Sequence, residues 1–318
     1  MEPYSAIIPY LISSGLYHVT NIHSTQIDNR LILALLERWR PETHTFHLPT
    51  GECTITLEDV SMLLGLPIEG TQLNGPSELD DDVWPAIVGE TPPQNALHGS
   101  AVRLTWLKGI YQAEANRPTE EHKTRHARIY IMILIGQLLF PDKSGSHVHP
   151  KWSQFLFDFN QEMCKACEFK VKEISGCLLL LQAWAFTSMP IISPKTAFDS
   201  TFPHAARWCV KGKNFKNNPR DYLQGYRFLI DHMQPNQFIW RPYLRFAPPQ
   251  DEDSSIWSAK TYIICFHIVE MHQSDRVKLQ FGYLQNIPDT PVCLKEHHKM
   301  NTNKSRKTPW TELYRHEQ

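Results

Sequence analysis

Trp39-Arg-Pro-Glu-Thr-His-Thr-Phe-His-Leu-Pro49, continued by Thr50-Gly-Glu-Cys-Thr-Ile-Thr-Leu-Glu-Asp-Val60 and Leu64-Gly-Leu-Pro67, is the stretch from which the fold is read. Upstream of it, Asp28 can accept the free N–H groups of a first helical turn, and Leu31, Ile32, Leu35, Leu36 and Trp39 recur along one broad stripe. Pro41 is expected to end that helix, because proline brings no N–H to an i→i−4 bond. Thr43 to Leu48 and Cys53 to Ile55 are rich in β-branched and aromatic residues, with turn chemistry in Pro49-Thr-Gly-Glu52, so a short β-hairpin is predicted within 43–55. Thr56 stands three residues before Asp59, a pattern resembling a capping box. Leu57, Val60, Leu63 and Leu64 then share one face of a short helix, Glu58, Asp59 and Ser61 are expected to point outward, and Gly65 and Pro67 close it.

Working outward, residues 68–100 are punctuated by Gly, Pro and the run Asp80-Asp-Asp82, and read as an extended surface connection. Helices are expected over Ser100 to Tyr111, Thr119 to Phe140 and Ile174 to Thr187. The last two are apolar on every side and belong in the middle of the core. Ile191 to Pro194 reads as extended, and Pro219 as the first turn of a helix through Tyr222, Tyr226, Leu229 and Ile230. Phe238-Ile-Trp-Arg-Pro-Tyr243 reads as a short extended piece, Thr261 to Val269 as strand or helix, and Asp275 to Phe281 as a short helix stopped by Gly282. The expected product is mainly α with small β elements (α+β): a single helical core domain over residues 1–292 and a polar, disordered tail over 293–318. No repeat of solenoid length is visible.

Composition narrows the functional classes. Lys and Arg total 32 against 33 Asp and Glu, so nucleic-acid contact has to come from a local patch. The most apolar runs, Ile129 to Phe140 and Cys177 to Phe186, fall short of the roughly 18–20 residues that span a hydrocarbon core, and no membrane partner is expected. The start Met1-Glu-Pro-Tyr lacks the pattern of a secretory signal, and 7 cysteines is an odd count, which fits reduced thiols in cytoplasm or nucleus.

Chemistry-bearing motifs are sparse. Cys164-Lys-Ala-Cys167 has zinc-ligand spacing, but Cys177 and Cys209 form no second close pair in the sequence, and no metal is expected. His122 and His126 lack the HExxH arrangement and read as a solvated helix face; His147, His149 and His297-His298 read as surface residues. His44 and His47 flank a predicted strand with odd spacing and fall on opposite faces. No G-x-G-x-x-G, Walker A or G-x-S-x-G string occurs. Lys211, Lys213, Lys216 and Arg220, near Phe215, are the candidate nucleic-acid contacts, and Lys299, Lys304, Arg306 and Lys307 form a second basic cluster. Trp39, Trp184, Trp208, Trp240 and Trp257 read as mostly core.

The opening stretch resembles the signature of the plant mobile domain, in the MAIN and MAIN-LIKE lineage. The resemblance rests on Trp39, Arg40, Pro41, Glu42, Thr43, His44, Phe46, Gly51, Glu52, Asp59, Gly65 and Pro67. It extends through Asn95-Ala-Leu-His-Gly-Ser100, Leu139-Phe-Pro-Asp-Lys-Ser-Gly145, Ile174 to Gln182, Ala206-Arg-Trp208, Gln237 to Tyr243, and Ile268 to Pro288. It implies a noncatalytic nuclear domain of transposon lineage that acts through protein partners in transposable-element silencing, gene expression and meristem maintenance. A nuclear serine/threonine phosphatase is among the implied partners, because some relatives are fused to or named after one. A nucleic-acid-binding remnant of a transposon product is the alternative. The label aminotransferase-like also attaches to such domains; Lys195 is available for a pyridoxal phosphate Schiff base, but no phosphate-binding loop surrounds it, so no cofactor is expected. The sequence departs from relatives at Asn160-Gln-Glu-Met163, where they carry an additional Trp- and Leu-rich helix.

Overall fold

The computed structural model describes residues 1–23, 26–68, 83–113, 119–141, 144–155, 177–195, 202–209, 222–246, 254–265 and 268–292. Helices α1 (Ile8–Ser13) and α2 (Asn29–Leu36) lead into strands β1 (Trp39–Arg40), β2 (Thr45–Leu48) and β3 (Gly51–Cys53), and then into α3 (Leu57–Leu64). Next come α4 (Val83–Val88), strands β4 (Leu97–His98) and β5 (Ala101–Arg103), α5 (Leu104–Ala113) and α6 (Glu120–Leu134). Strand β6 (His147–Val148), α7 (Leu178–Ser188), α8 (Leu223–Asp231) and the hairpin β7 (Thr261–Cys265) and β8 (Ile268–His272) complete the order. The fold is mainly helical with small antiparallel sheets, as the sequence predicts.

Local chemistry explains the boundaries. Asp28 caps α2 by accepting from the N–H groups of Arg30 and Leu31. Thr56 caps α3 in a full capping box with Asp59, and Gly65 ends it in the left-handed region at φ +67°, where glycine carries no Cβ penalty. Thr119 caps α6, which passes into a π-helical turn at Ile135–Leu139. Buried apolar side chains form one connected cluster that includes Leu11, Leu35, Phe46, Leu63, Tyr130 and Trp184. α6 and α7 run through its middle: Ile129 to Ile133 and Ala183 to Phe186 are all buried.

Several expectations are corrected. Trp39 is not on the α2 stripe, because α2 stops at Leu36 and Trp39 pairs with Phe46 in a three-stranded sheet ordered β1-β2-β3. The chain is reversed between β1 and β2 by a turn in which the His44 N–H reaches the Arg40 carbonyl at 2.8 Å. The expected hairpin holds, but with a shorter connection: Leu48 pairs directly with Gly51. Asp59 and Ser61 do not face solvent; both are buried. The stretch 68–100 contains α4, whose Trp84, Ile87 and Val88 enter the core; a run of six residues is too short to reveal a helical period in the sequence. The start of the expected 100–111 helix is strand β5. Ile191 to Pro194 is not extended: Ile192 N–H bonds Met189 O at 3.0 Å in a turn. α8 begins at Leu223, and Pro219 lies outside the described residues. Phe238 to Tyr243 forms no strand: no ladder pairs it, and its Ile239 N–H bonds Ser188 O at 2.8 Å. The undecided segment is the β7–β8 hairpin, and 275–281 is two 3-10 turns, not an α-helix, ended by Gly282 as expected.

Candidate functional site at the motif junction

The segments that carry the motifs fold against one another. The β1–β3 sheet and α3 form one side; the irregular stretch 238–246 and the 3-10 turns Ser274–Arg276 and Lys278–Phe281 form the other. An aromatic chain joins them: Trp39 lies edge-on to Phe46 (ring centroids 4.8 Å apart), Phe46 stacks on Trp184 (5.1 Å), Trp184 meets Phe238 (6.5 Å), and Phe238 meets Trp240 (4.6 Å). Such pairs add to the burial of large apolar area.

Asp59 sits at the centre. Its Oδ2 accepts from the Thr56 backbone N–H and from the Thr56 hydroxyl, both at 2.8 Å, and its Oδ1 accepts from the Tyr243 hydroxyl at 2.9 Å. Burial pushes its carboxyl up to about 6, against the lowering effect of the Thr56 and Tyr243 bonds. Its neighbour Glu58 is pushed up to about 7 by burial and by Asp59, with Arg241 pulling the other way. Tyr243, buried and beside both carboxylates, is driven well above the usual phenol range. Oδ2 of Asp59 is thus spent on the capping box that starts α3, and Oδ1 ties α3 to the 238–246 stretch through Tyr243.

A second link is ionic. Arg276 forks onto Glu52, with Nε to Oε2 at 2.9 Å and Nη2 to Oε1 at 2.8 Å; Thr45 also donates to Glu52 at 3.2 Å. Gln280 completes the attachment by accepting from the Thr54 N–H (2.9 Å) and donating to the Thr54 carbonyl (2.8 Å). Burial would raise the Glu52 carboxyl, but the hydrogen bond and charge of Arg276 outweigh it and hold it below the usual range.

The remaining motif residues fall around these links. Thr43 is buried and shares a bond with Thr45 at 2.7 Å; Arg40, Pro41 and Glu42 are exposed. His44 takes a positive φ of 53° in the turn and lies over Trp39, while His47 faces solvent 3.6 Å from Glu52, so only His47 lies on the strand. Gly51 lies under the Trp240 ring, and Pro67 packs on Gly15. Tyr243, Arg276 and Gln280 escaped the sequence reading as site residues; a buried tyrosine's need for a hydrogen-bond partner is the signal that could have found the first.

Other candidates are dispersed. His126 is buried among Tyr4 and Tyr111, with Nδ1 3.0 Å from the His122 carbonyl, which corrects the solvated-face reading for His126, whereas His122 is partly exposed. His149 is half-buried and pushed down to about 4 by burial and Lys151. Lys195 is exposed. Lys211, Lys213, Lys216 and Arg220, the Cys164/Cys167 pair, His297-His298, the second basic cluster and the 160–163 junction lie outside the described residues. Among the described residues no three His, Cys, Asp or Glu side chains are grouped to hold a metal, and no helix is long and apolar enough to cross a membrane.

Comparison with known proteins places this geometry in context. The family model described as Plant mobile domain matches residues 15–317. The chain is 35% identical over 312 residues to an Arabidopsis thaliana protein named Serine/threonine-protein phosphatase 7 long form homolog, covering 87% of this chain and 23% of that protein. It is 33% identical over 300 residues to Protein MAIN-LIKE 1 of the same plant, covering 86% and 58%. To Protein MAINTENANCE OF MERISTEMS, also from Arabidopsis thaliana, it is 31% identical over 290 residues, covering 84% and 60%. The chain thus spans less than two thirds of the length of each of these relatives. No solved structure matches it.

Proposed function

We propose, from the premise that this chain belongs to the plant mobile domain family, that it is a noncatalytic nuclear protein-interaction domain acting in transposable-element silencing, gene expression and meristem maintenance. The observation that carries the noncatalytic part is the engagement of the motif's buried polar groups in internal bonds: Asp59 with Thr56 and Tyr243, Glu52 with Arg276 and Thr45. A catalytic site instead keeps a nucleophile or base poised toward open space. The similarity to a protein named Maintenance of Meristems supports the developmental part, and the similarity to a phosphatase 7 long form homolog supports a nuclear serine/threonine phosphatase as partner. The domain is taken to cover residues 1–292, with 293–318 as a tail.

Affinity purification of the tagged chain from plant nuclei tests this reading. The expected result is recovery from the nuclear fraction with a reproducible set of chromatin or phosphatase proteins. Exclusion from nuclei, or recovery with cytoplasmic metabolic enzymes alone, overturns it.

A second reading, contact with nucleic acid as the remnant of a transposon product, is motivated by the run of Lys211, Lys213, Lys216 and Arg220. It requires affinity for DNA or RNA that falls with salt as phosphate contacts release counterions. Binding that is absent, or indifferent to salt, ends it.

A further inference from the structure

Gly282 and the loop after it display side chains that no internal role explains. Gly282 takes φ +81°, and a Cβ there would stand 2.6 Å from Nη1 of Arg241, so the absent side chain makes room for the guanidinium. Arg241 is exposed, and no hydrogen bond or ion pair engages it among the described residues; the carboxyl near enough to feel its charge is Glu58. The loop beside it is built firmly. Gln285 accepts from the Lys278 N–H at 2.8 Å and donates to the carbonyls of Asp275 and Asn286, both at 2.9 Å. Yet Tyr283 is 60% exposed, Leu284 86% and Ile287 97%, and Leu244, in the turn after Arg241, is 65% exposed.

We infer that Arg241, Tyr283 and Leu284 form a docking surface for a peptide segment of a protein partner that presents an Asp or Glu carboxylate beside a large apolar side chain. Charge complementarity fixes the occupant: an exposed guanidinium that makes no hydrogen bond or ion pair among the described residues, set beside a well-bonded loop, recognises a carboxylate through paired N–H donors, and the nearby apolar side chains leave water only if the partner is apolar there. Tyrosine and arginine are also the residue types that dominate binding energy in interfaces, and a prefixed loop loses little entropy on binding. The inference rests on the protein-interaction reading above and gives it a surface and a ligand chemistry.

The test uses the full chain and two sets of fluorescent peptides: one with Asp or Glu next to Leu, Phe or Trp, the other identical but with Asn in place of the acid. Anisotropy is expected to show binding of the acidic set that weakens with salt and exceeds the Asn set. Arg241→Glu and Leu284→Asp should each weaken it by about tenfold or more, the level of a strong interface residue, and Arg241→Lys by less. These side chains are exposed, so an unchanged thermal transition will certify folding of each variant. Equal binding of both sets, no binding of either, or affinity untouched by Arg241→Glu overturns the inference. In nuclear purification, partners retained by the Arg241→Glu, Leu284→Asp double variant would sink this surface while leaving the interaction reading intact; loss of all partners by the unaltered chain would sink that reading instead.

Discussion

The hydroxyl of Tyr243 donates to Oδ1 of Asp59 at 2.9 Å across 184 positions of chain, with both side chains buried. One bond therefore joins the capping box of α3 to the Phe238–Tyr243 stretch, and its consequences reach stability, titration and the exposed surface beside it.

Titration gives the first prediction. Burial raises Glu58 to about 7 and Asp59 to about 6, so the native state holds protons that the unfolded chain releases in the ordinary carboxylate range. That contribution is complete in acid and is lost as pH rises through those values. His18, His149 and His272, held below the usual imidazole range chiefly by burial, act oppositely until the unfolded chain has released its imidazole protons, at about pH 7.5. The carboxylate contribution is therefore read as a difference: between about pH 5.5 and 8 the urea midpoint of the parent should fall relative to that of Glu58→Gln. Parallel profiles for parent and variant would contradict it.

Arg276 and Glu52 supply the second. Their forked pair is largely shielded, so a double-mutant cycle with Arg276→Ala and Glu52→Gln should give a coupling of about 1–3 kcal/mol. Additivity within about 0.5 kcal/mol would mean that the pair is as weak as an exposed ion pair.

Gly282→Ala is the third. A methyl group at φ +81° meets both backbone strain and the Arg241 guanidinium, so the variant should lose about 1 kcal/mol or more and show altered exchange in residues 282–287. An unchanged denaturation curve would refute the claimed close approach.

Trp184, fully buried between Phe46 and Phe238, is the fourth: Trp184→Ala should cost about 3–5 kcal/mol, a large part of the stability of an ordinary domain. A loss below about 1 kcal/mol would place the core elsewhere.

What the sequence revealed and what it hid divide by range. The Asp28 cap, the Thr56–Asp59 box, the Gly65 stop and the enclosed α6 and α7 are local signals, and each is where periodicity and capping chemistry put it. Asp59 looked outward because its α3 position is flanked by polar residues; only Tyr243, remote in sequence, makes its burial affordable. Trp39 fits a helical stripe by spacing, yet pairing with Phe46 decides its place. α4 is too short to show a period among its glycines and prolines. At the site, the motif residues could be recognised as a packing signature, whereas Arg276 and Gln280 meet Glu52 and Thr54 through contacts over 220 residues apart, which no spacing encodes.

The central claim is that the motif segments form a junction of mutually satisfied buried groups. The most direct measurement is a double-mutant cycle of Asp59→Asn and Tyr243→Phe, followed by urea denaturation at fixed pH. The account predicts that each single variant loses about 1–3 kcal/mol and that the double variant loses clearly less than their sum. Strictly additive losses, or single variants as stable as the parent, would contradict it.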